Sequence, residues 1–168
     1  VNPAGLVIHT AIHAARPDIH CIAHTHTTEG MAAACSKEGL RTDNFYSALL
    51  NNRIAYHDFE GITVMDDEKP RLVKSLADKN ILILRNHGLL VGGRSIPEAF
   101  QTMWGLQRAC EVQVATDSTG QTPIPISTEV LGKTAQLMNL QAMGGPAGGL
   151  EFDALTRVIA KTDPSYKE

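Results

Sequence analysis

The sequence predicts an α/β domain in which helices pack over one small sheet. Two observations carry this. Short apolar runs bounded by turn signals alternate along the chain with longer segments of helical periodicity. One stretch, "NILILRNHGLLVGG" from Asn80 to Gly93, is apolar on both sides of a polar break at Arg85 to Gly88, the pattern of two strands around a tight turn, buried on both faces. With 168 residues and a hydrophobic fraction of 43%, the chain suits one domain over 1–168. Its core is expected over about 1–118, with a C-terminal helical extension over about 119–168.

The elements follow in order. "NPAGLVIHTAIHAARPD" reads as an amphipathic helix, capped by Asn2, with Pro3 at its first position and Arg16-Pro17 at its stop. Its apolar face is expected to carry Leu6, Ile8, Ala11, Ile12 and Ala15. "IHCIAH", from Ile19, is a strand between a Pro-Asp turn and a threonine-rich exit. "TTEGMAAACSKEG" returns to helix, with Thr28 as its cap and Gly39 near its end. A short helix over Tyr46 to Asn51 precedes "RIAYHDFEGITV", read as strand and loop, and "DDEKPRLVKSLAD" is helical again. After the two strands, "SIPEAFQTMWGLQRACEVQVATDS" is the longest helix, entered at Ser95, with Ala99, Met103, Leu106, Ala109, Cys110 and Val114 on one face. Met103 and Trp104 are expected to pack in the core or against another subunit. "TGQTPIPIS" is a linker, followed by a helix near Glu129 to Met143, a flexible "GGPAGG" and a last helix from about Asp153 to Lys161. "GLLVGG" is the end of a strand and lacks the spacing of a dinucleotide-binding glycine loop. Because the chain opens on a helix with no strand before it, the sheet is expected to be small and the N-terminal part of the domain to be missing.

Composition excludes several function classes. A net charge of −3 with 20% charged residues leaves no electrostatic footprint for nucleic acid or an anionic membrane. The longest apolar runs fall far short of the roughly 20 residues of a membrane-spanning helix, and no basic leader opens the chain. Three cysteines, Cys21, Cys35 and Cys110, lie in or beside apolar stretches without C-x-x-C spacing, which favours a reducing compartment, hence the cytoplasm. A small-molecule substrate is the expected partner.

His24 and His26, in "CIAHTHTTEG", alternate along a strand, so both can face one point while Thr25 faces away. Alone, such a pair is a weak signal and reads more readily as two solvent-facing or hydrogen-bonded histidines on a strand. His87, at the break between the two buried strands, is the best third ligand. Three imidazoles on one divalent ion, with a position left open, form a catalytic arrangement, whereas a structural zinc site closes with four protein ligands.

The set "NPAG…IHTAIHAARPDIHCIAHTHTTEGMAAA", "YHDFEGI" and "LILRNHGLLVGG", followed by the long helix, resembles the class II aldolase/adducin domain family, over about Val1 to Ala115. The resemblance implies a three-layer α/β/α fold with a class II aldolase-like central sheet, a divalent ion held by His24, His26 and His87, and a homotetramer. Zinc is the expected ion, with manganese or iron as alternatives. It also implies what this chain lacks. Family aldolases carry Ser-Ser-Glu before the first helix, the serines gripping substrate phosphate and the glutamate exchanging a proton; Pro3, Ala4 and Gly5 stand here instead.

Groups that can take over the proton transfer are Glu29, three residues beyond His26, and the run Tyr56, His57, Asp58 and Glu60. Each has a structural reading beside it: a carboxylate in a helix's first turn is favoured by the dipole, and the run can support a site from behind. His9 and His13 share a helix face and can simply pack or hydrogen-bond. Asn86 can orient His87 or shape a turn, and Arg85 flanks it. Glu29, Tyr56 and His57 are the expected catalytic groups. The function expected is a metal-dependent lyase or isomerase that stabilises an enediolate or enolate of a small hydroxy-carbonyl or carboxylate substrate, by aldol cleavage or decarboxylation. The alternative is a non-catalytic module resembling adducin, serving self-association and the actin cytoskeleton.

Overall fold

The computed structural model describes residues 3–62, 66–143 and 147–167. The chain runs α1 (Pro3–Ala15), β1 (Cys21–Thr25), α2 (Thr28–Cys35), α3 (Phe45–Leu49), β2 (Ile54–His57), α4 (Lys69–Leu76), β3 (Ile81–Leu84), β4 (Gly88–Gly93), α5 (Ile96–Ser118), α6 (Thr128–Met143) and α7 (Gly149–Thr162). Single 3-10 turns occupy Asp66–Glu68 and Pro164–Lys167.

The four strands form one mixed sheet in the order β1-β4-β3-β2. β4 pairs antiparallel with both β1 and β3, while β2 pairs parallel with β3, the two joined by α4. Both faces of β3 and β4 are buried, as their continuous apolar runs require. Alternation divides their side chains between two cores. Ile81, Ile83, Leu89 and Val91 meet Ala33 and Ala34 of α2 and Ala99, Met103, Leu106, Ala109 and Cys110 of α5. Leu82, Leu84 and Leu90 meet Ile8, Ala11 and Ile12 of α1 and Leu72 and Leu76 of α4. Each fully buried Leu or Ile side chain contributes about 1.5–3 kcal/mol. The result is the three-layer α/β/α arrangement expected.

Several local expectations change. Among residues 3–15, Val7 joins the buried face while Leu6 is 52% exposed and Ala15 is exposed, so the buried stripe is narrower than the apolar pattern suggested. Thr27 rather than Thr28 stands at the N-cap position of α2, its hydroxyl going to Gln107 instead of the helix backbone. The short third helix begins at Phe45, capped reciprocally by Asn44 and Ser47. On α5, Gln113 is 2% exposed and takes the inward position, with Val114 half-buried. Its amide donates to the Gly39 carbonyl at 3.0 Å and accepts from the Arg41 N–H at 2.8 Å, so both polar ends are satisfied. Met103 is buried, but Trp104 is 49% exposed against Tyr46. α7 begins at Gly149, four residues before the expected start. The proposed cap Asn2 and Gly144 to Pro146 of the "GGPAGG" segment lie outside the described residues.

Candidate functional site

His24 occupies the penultimate position of β1, opposite Leu90 of β4. Parity with Ile22 turns it toward the α1/α4 layer, whereas Thr25 points to α5 and lies 3.5 Å from the Met103 sulfur. His26 is exposed just beyond the strand. His87 is the last residue of the β3–β4 turn, at the same end of the sheet. In that turn the His87 N–H donates to the Leu84 carbonyl at 3.1 Å, and Asn86 adopts φ 56°. Asparagine tolerates this left-handed conformation better than most residues. Asn86 therefore shapes the turn that delivers His87.

The three rings converge. Centroids are 4.5 Å apart for His24 and His26, 4.9 Å for His24 and His87, and 4.8 Å for His26 and His87. One nitrogen of each lies within 4.8 Å of the others. His24 Nδ1 is 2.8 Å from the Leu89 carbonyl. A carbonyl only accepts, so Nδ1 carries the hydrogen and Nε2 keeps its lone pair. Burial holds the His24 imidazole down to about 4, so it is neutral at pH 7. Burial, followed by the nearby His26, also lowers His87. Three converging imidazoles with a fixed tautomer at one of them are a donor set suited to a divalent transition metal.

Close approach depends on Gly88. A Cβ there would collide with the Thr25 carbonyl oxygen and lie 2.9 Å from His26 Cδ2 and 3.4 Å from His24 Cε1. The glycine of N-H-G thus makes room for His24 and His26. Gly5, by contrast, has no atom of the described residues within 4 Å of where a Cβ would stand, so nothing there demands a glycine. His9, one turn further along α1, is lowered by burial and then by His13, and its charge bears on His24. His13 Nδ1 bonds the Ile19 carbonyl at 3.0 Å.

The other candidates fall into different surroundings. Glu29 opens α2 and accepts from Gln107 Nε2 at 3.2 Å, while Thr27 bonds the Gln107 oxygen at 2.5 Å. Tyr56 packs in the α2/α5 core, on the sheet face and edge opposite His24. Its hydroxyl accepts from the Leu40 N–H at 3.0 Å, and Arg85 lies 4.6 Å over its ring. His57, one residue on, turns to the other layer and is 5% exposed. Its Nδ1 is 2.9 Å from Ser75 Oγ and its Nε2 3.3 Å from Glu68 Oε1. Asp58 is exposed near Arg85, and Glu60 is held by Arg71 at 2.5–2.9 Å. Sequence reasoning missed Glu68, Ser75 and Gln107. Glu68 was hidden in an acidic run whose place at a helix start is explained by the dipole alone.

Comparison with known proteins identifies the family. The Class II Aldolase and Adducin N-terminal domain matches residues 1–114. A Pseudomonas aeruginosa protein whose name assigns it to aldolase class 2 is 39% identical over 170 residues, covering 100% of this chain and 66% of its own length. Rat alpha-adducin is 48% identical over 117 residues, 69% of this chain and 16% of that protein. The chain thus spans about two thirds of its bacterial relative. An aldolase II superfamily protein of Pseudomonas syringae superposes with a TM-score of 0.90 at 40% identity, covering 100% of this chain and 66% of that one. The L-fuculose 1-phosphate aldolase of Glaciozyma antarctica PI12 gives 0.78 at 31% identity, with coverage of 98% and 61%. With a matched profile over most of its length, this chain belongs to the class II aldolase and adducin N-terminal domain family.

Proposed function

We propose that this chain is a divalent-metal-dependent lyase or isomerase of the class II aldolase type, with the ion held by His24, His26 and His87. The convergence of three imidazoles at one sheet end, with His24 fixed by the Leu89 carbonyl, carries the reading. Zinc suits such a set, and manganese or iron are accepted by the same ligands. When bound there, a divalent cation acts as a Lewis acid on a carbonyl and its neighbouring hydroxyl, favouring the enediolate or enolate of aldol cleavage or decarboxylation.

The chain's own residues supply orientation and proton handling. The β3–β4 turn and Gly88 present the three rings together, and the α1/α4 layer limits water on the His24 side. We assign proton handling to Glu29, whose carboxylate is steered by Gln107 at 3.2 Å. His57, held by Ser75 and Glu68, acts as a positioning residue, while Tyr56, whose hydroxyl accepts from the Leu40 N–H in the other layer, serves packing. Without a carboxylate at Gly5, decarboxylation is favoured over aldol cleavage, since loss of carbon dioxide leaves an enolate without a prior deprotonation. The substrate is a small hydroxy-carbonyl or carboxylate molecule, and the working unit a cytoplasmic homotetramer.

Gly5 and the 48% identity to alpha-adducin favour a second reading, a non-catalytic module for self-association on the actin cytoskeleton. Metal analysis of protein purified without chelator separates the two. The enzyme reading expects close to one ion per chain, lost in His24→Ala, and cleavage or decarboxylation of a hydroxy acid or sugar. Trace metal only, with no change in His24→Ala, would leave the adducin-like reading.

A further inference from the structure

A three-imidazole site brings no negative charge to a dication, so a nearby buried carboxylate matters to how tightly the ion is held. Three carboxylate residues line a cavity of about 10 Å³ together with His57, Arg85 and His87. The side chain of Asp58 is 92% exposed, and Glu60 is drawn toward Arg71. Glu68 is different, being 7% exposed and facing inward onto His57.

A buried carboxylate needs a hydrogen-bond donor, and the geometry supplies one. With the Ser75 hydroxyl donating to His57 Nδ1 across 2.9 Å, Nε2 carries the ring hydrogen and donates it to Glu68 Oε1 across 3.3 Å. The chain Ser75–His57–Glu68 runs from α4 to the turn before it and ends beside the third ligand, His87. Phe59 closes the other side of that ring, its centroid 6.4 Å away.

We propose that Glu68, locked by His57 and Ser75, is an outer carboxylate of the histidine cluster that strengthens its hold on a divalent cation and fixes the orientation of His87. This rests on the metal reading above. The role is one of positioning and charge balance.

The test is titration of the metal-free chain with cobalt(II), read both as affinity and as the visible absorption of the bound ion. Glu68→Gln is expected to weaken binding about 10- to 100-fold and shift the band. Glu68→Asp should recover part of the affinity, and Ser75→Ala should weaken binding less in the same direction. Circular dichroism and the unfolding midpoint identify any variant that fails to fold; Ser75→Ala, at a half-buried position, then decides the matter. Wild-type affinity and spectrum in folded Glu68→Gln, or in Ser75→Ala where Glu68→Gln does not fold, would overturn the proposal. If the wild-type chain takes up no cobalt, or His24→Ala takes it up equally well, the metal reading itself fails and this proposal falls with it.

Discussion

His24 donates its Nδ1 hydrogen to the Leu89 carbonyl at 2.8 Å, between neighbouring strands of the sheet. Burial outweighs that bond and holds the imidazole down to about 4, against an ordinary value of 6.5. The unfolded chain therefore takes up a proton near pH 6.5 that the folded chain refuses until near pH 4. Stability from this group is fully present above 6.5 and lost as the pH falls toward 4, by up to about 3 kcal/mol. Denaturant melts of metal-free protein between pH 7 and 4.5 should show a shallower decline in His24→Asn than in the wild type. Equal declines would mean that His24 is not the group responsible.

Gly88 sits where β4 passes the ends of β1, and Gly88→Ala tests how much the site depends on that approach. The added methyl meets the Thr25 carbonyl and the rings of His24 and His26, so the strands must part. A loss of about 1–3 kcal/mol in stability is expected, together with weakened metal binding. Gly105→Ala, on α5 with no described atom within 4 Å, is the control and should be neutral or gain about 0.5–1 kcal/mol. Parallel melting and metal titration of both variants check this.

The histidine cluster was legible through the family resemblance, since alternation on a strand and a polar break between two apolar runs are by themselves a weak signal for ligands. The layers were legible from local apolar pattern. What escaped was partnership across the fold. Gln113 reads as a surface residue until Gly39 and Arg41 are brought to it, and Glu68 reads as part of a solvated acidic run until His57 folds over it. Tyr56 and His57, adjacent in sequence, go to opposite layers, so a dense run of proton-transfer groups along the chain is not a cluster in space. The exposure of Leu6 and Trp104 has no signature in apolar periodicity.

Gly5 asks whether the missing carboxylate can be returned. The space around it is open among the described residues, and glycine is a poor helix former, so Gly5→Ala should stabilise α1 by about 0.5–1 kcal/mol. Gly5→Glu meets the same open space at its Cβ and places its charge in the first turn, where the helix dipole favours it. Under the enzyme reading, aldol cleavage should rise at least tenfold in Gly5→Glu and stay unchanged in Gly5→Ala. Equal rates in the two would mean that the carboxylate, at this position, is not what limits aldol chemistry.

The cysteines divide by burial. Cys35 is exposed at the end of α2, whereas Cys110 is 0% exposed and burial pushes its thiol up to about 12. A protonated, inaccessible thiol does not attack. A thiol reagent at pH 8 should modify Cys35 in the native protein and reach Cys110 only after denaturation, as peptide mass mapping would reveal. Early labelling of Cys110 would mean that the α2/α5 core opens under native conditions.

Tyr56→Phe separates packing from catalysis. The ring fills space above Gly39, whose φ of 72° favours glycine and where an added Cβ would lie 2.5 Å from the Tyr56 hydroxyl. Only the hydroxyl is lost in the variant, leaving the Leu40 N–H without its acceptor. One such bond contributes about 1 kcal/mol, somewhat more if the amide stays buried and unsatisfied. The unfolding midpoint should therefore drop by a few degrees while turnover stays within about twofold of the wild type. A fall in turnover of a hundredfold or more, with stability unchanged, would instead give the hydroxyl a part in the chemistry. That outcome would require Tyr56 to serve a site other than the one on its own sheet end, since here it faces the layer opposite His24.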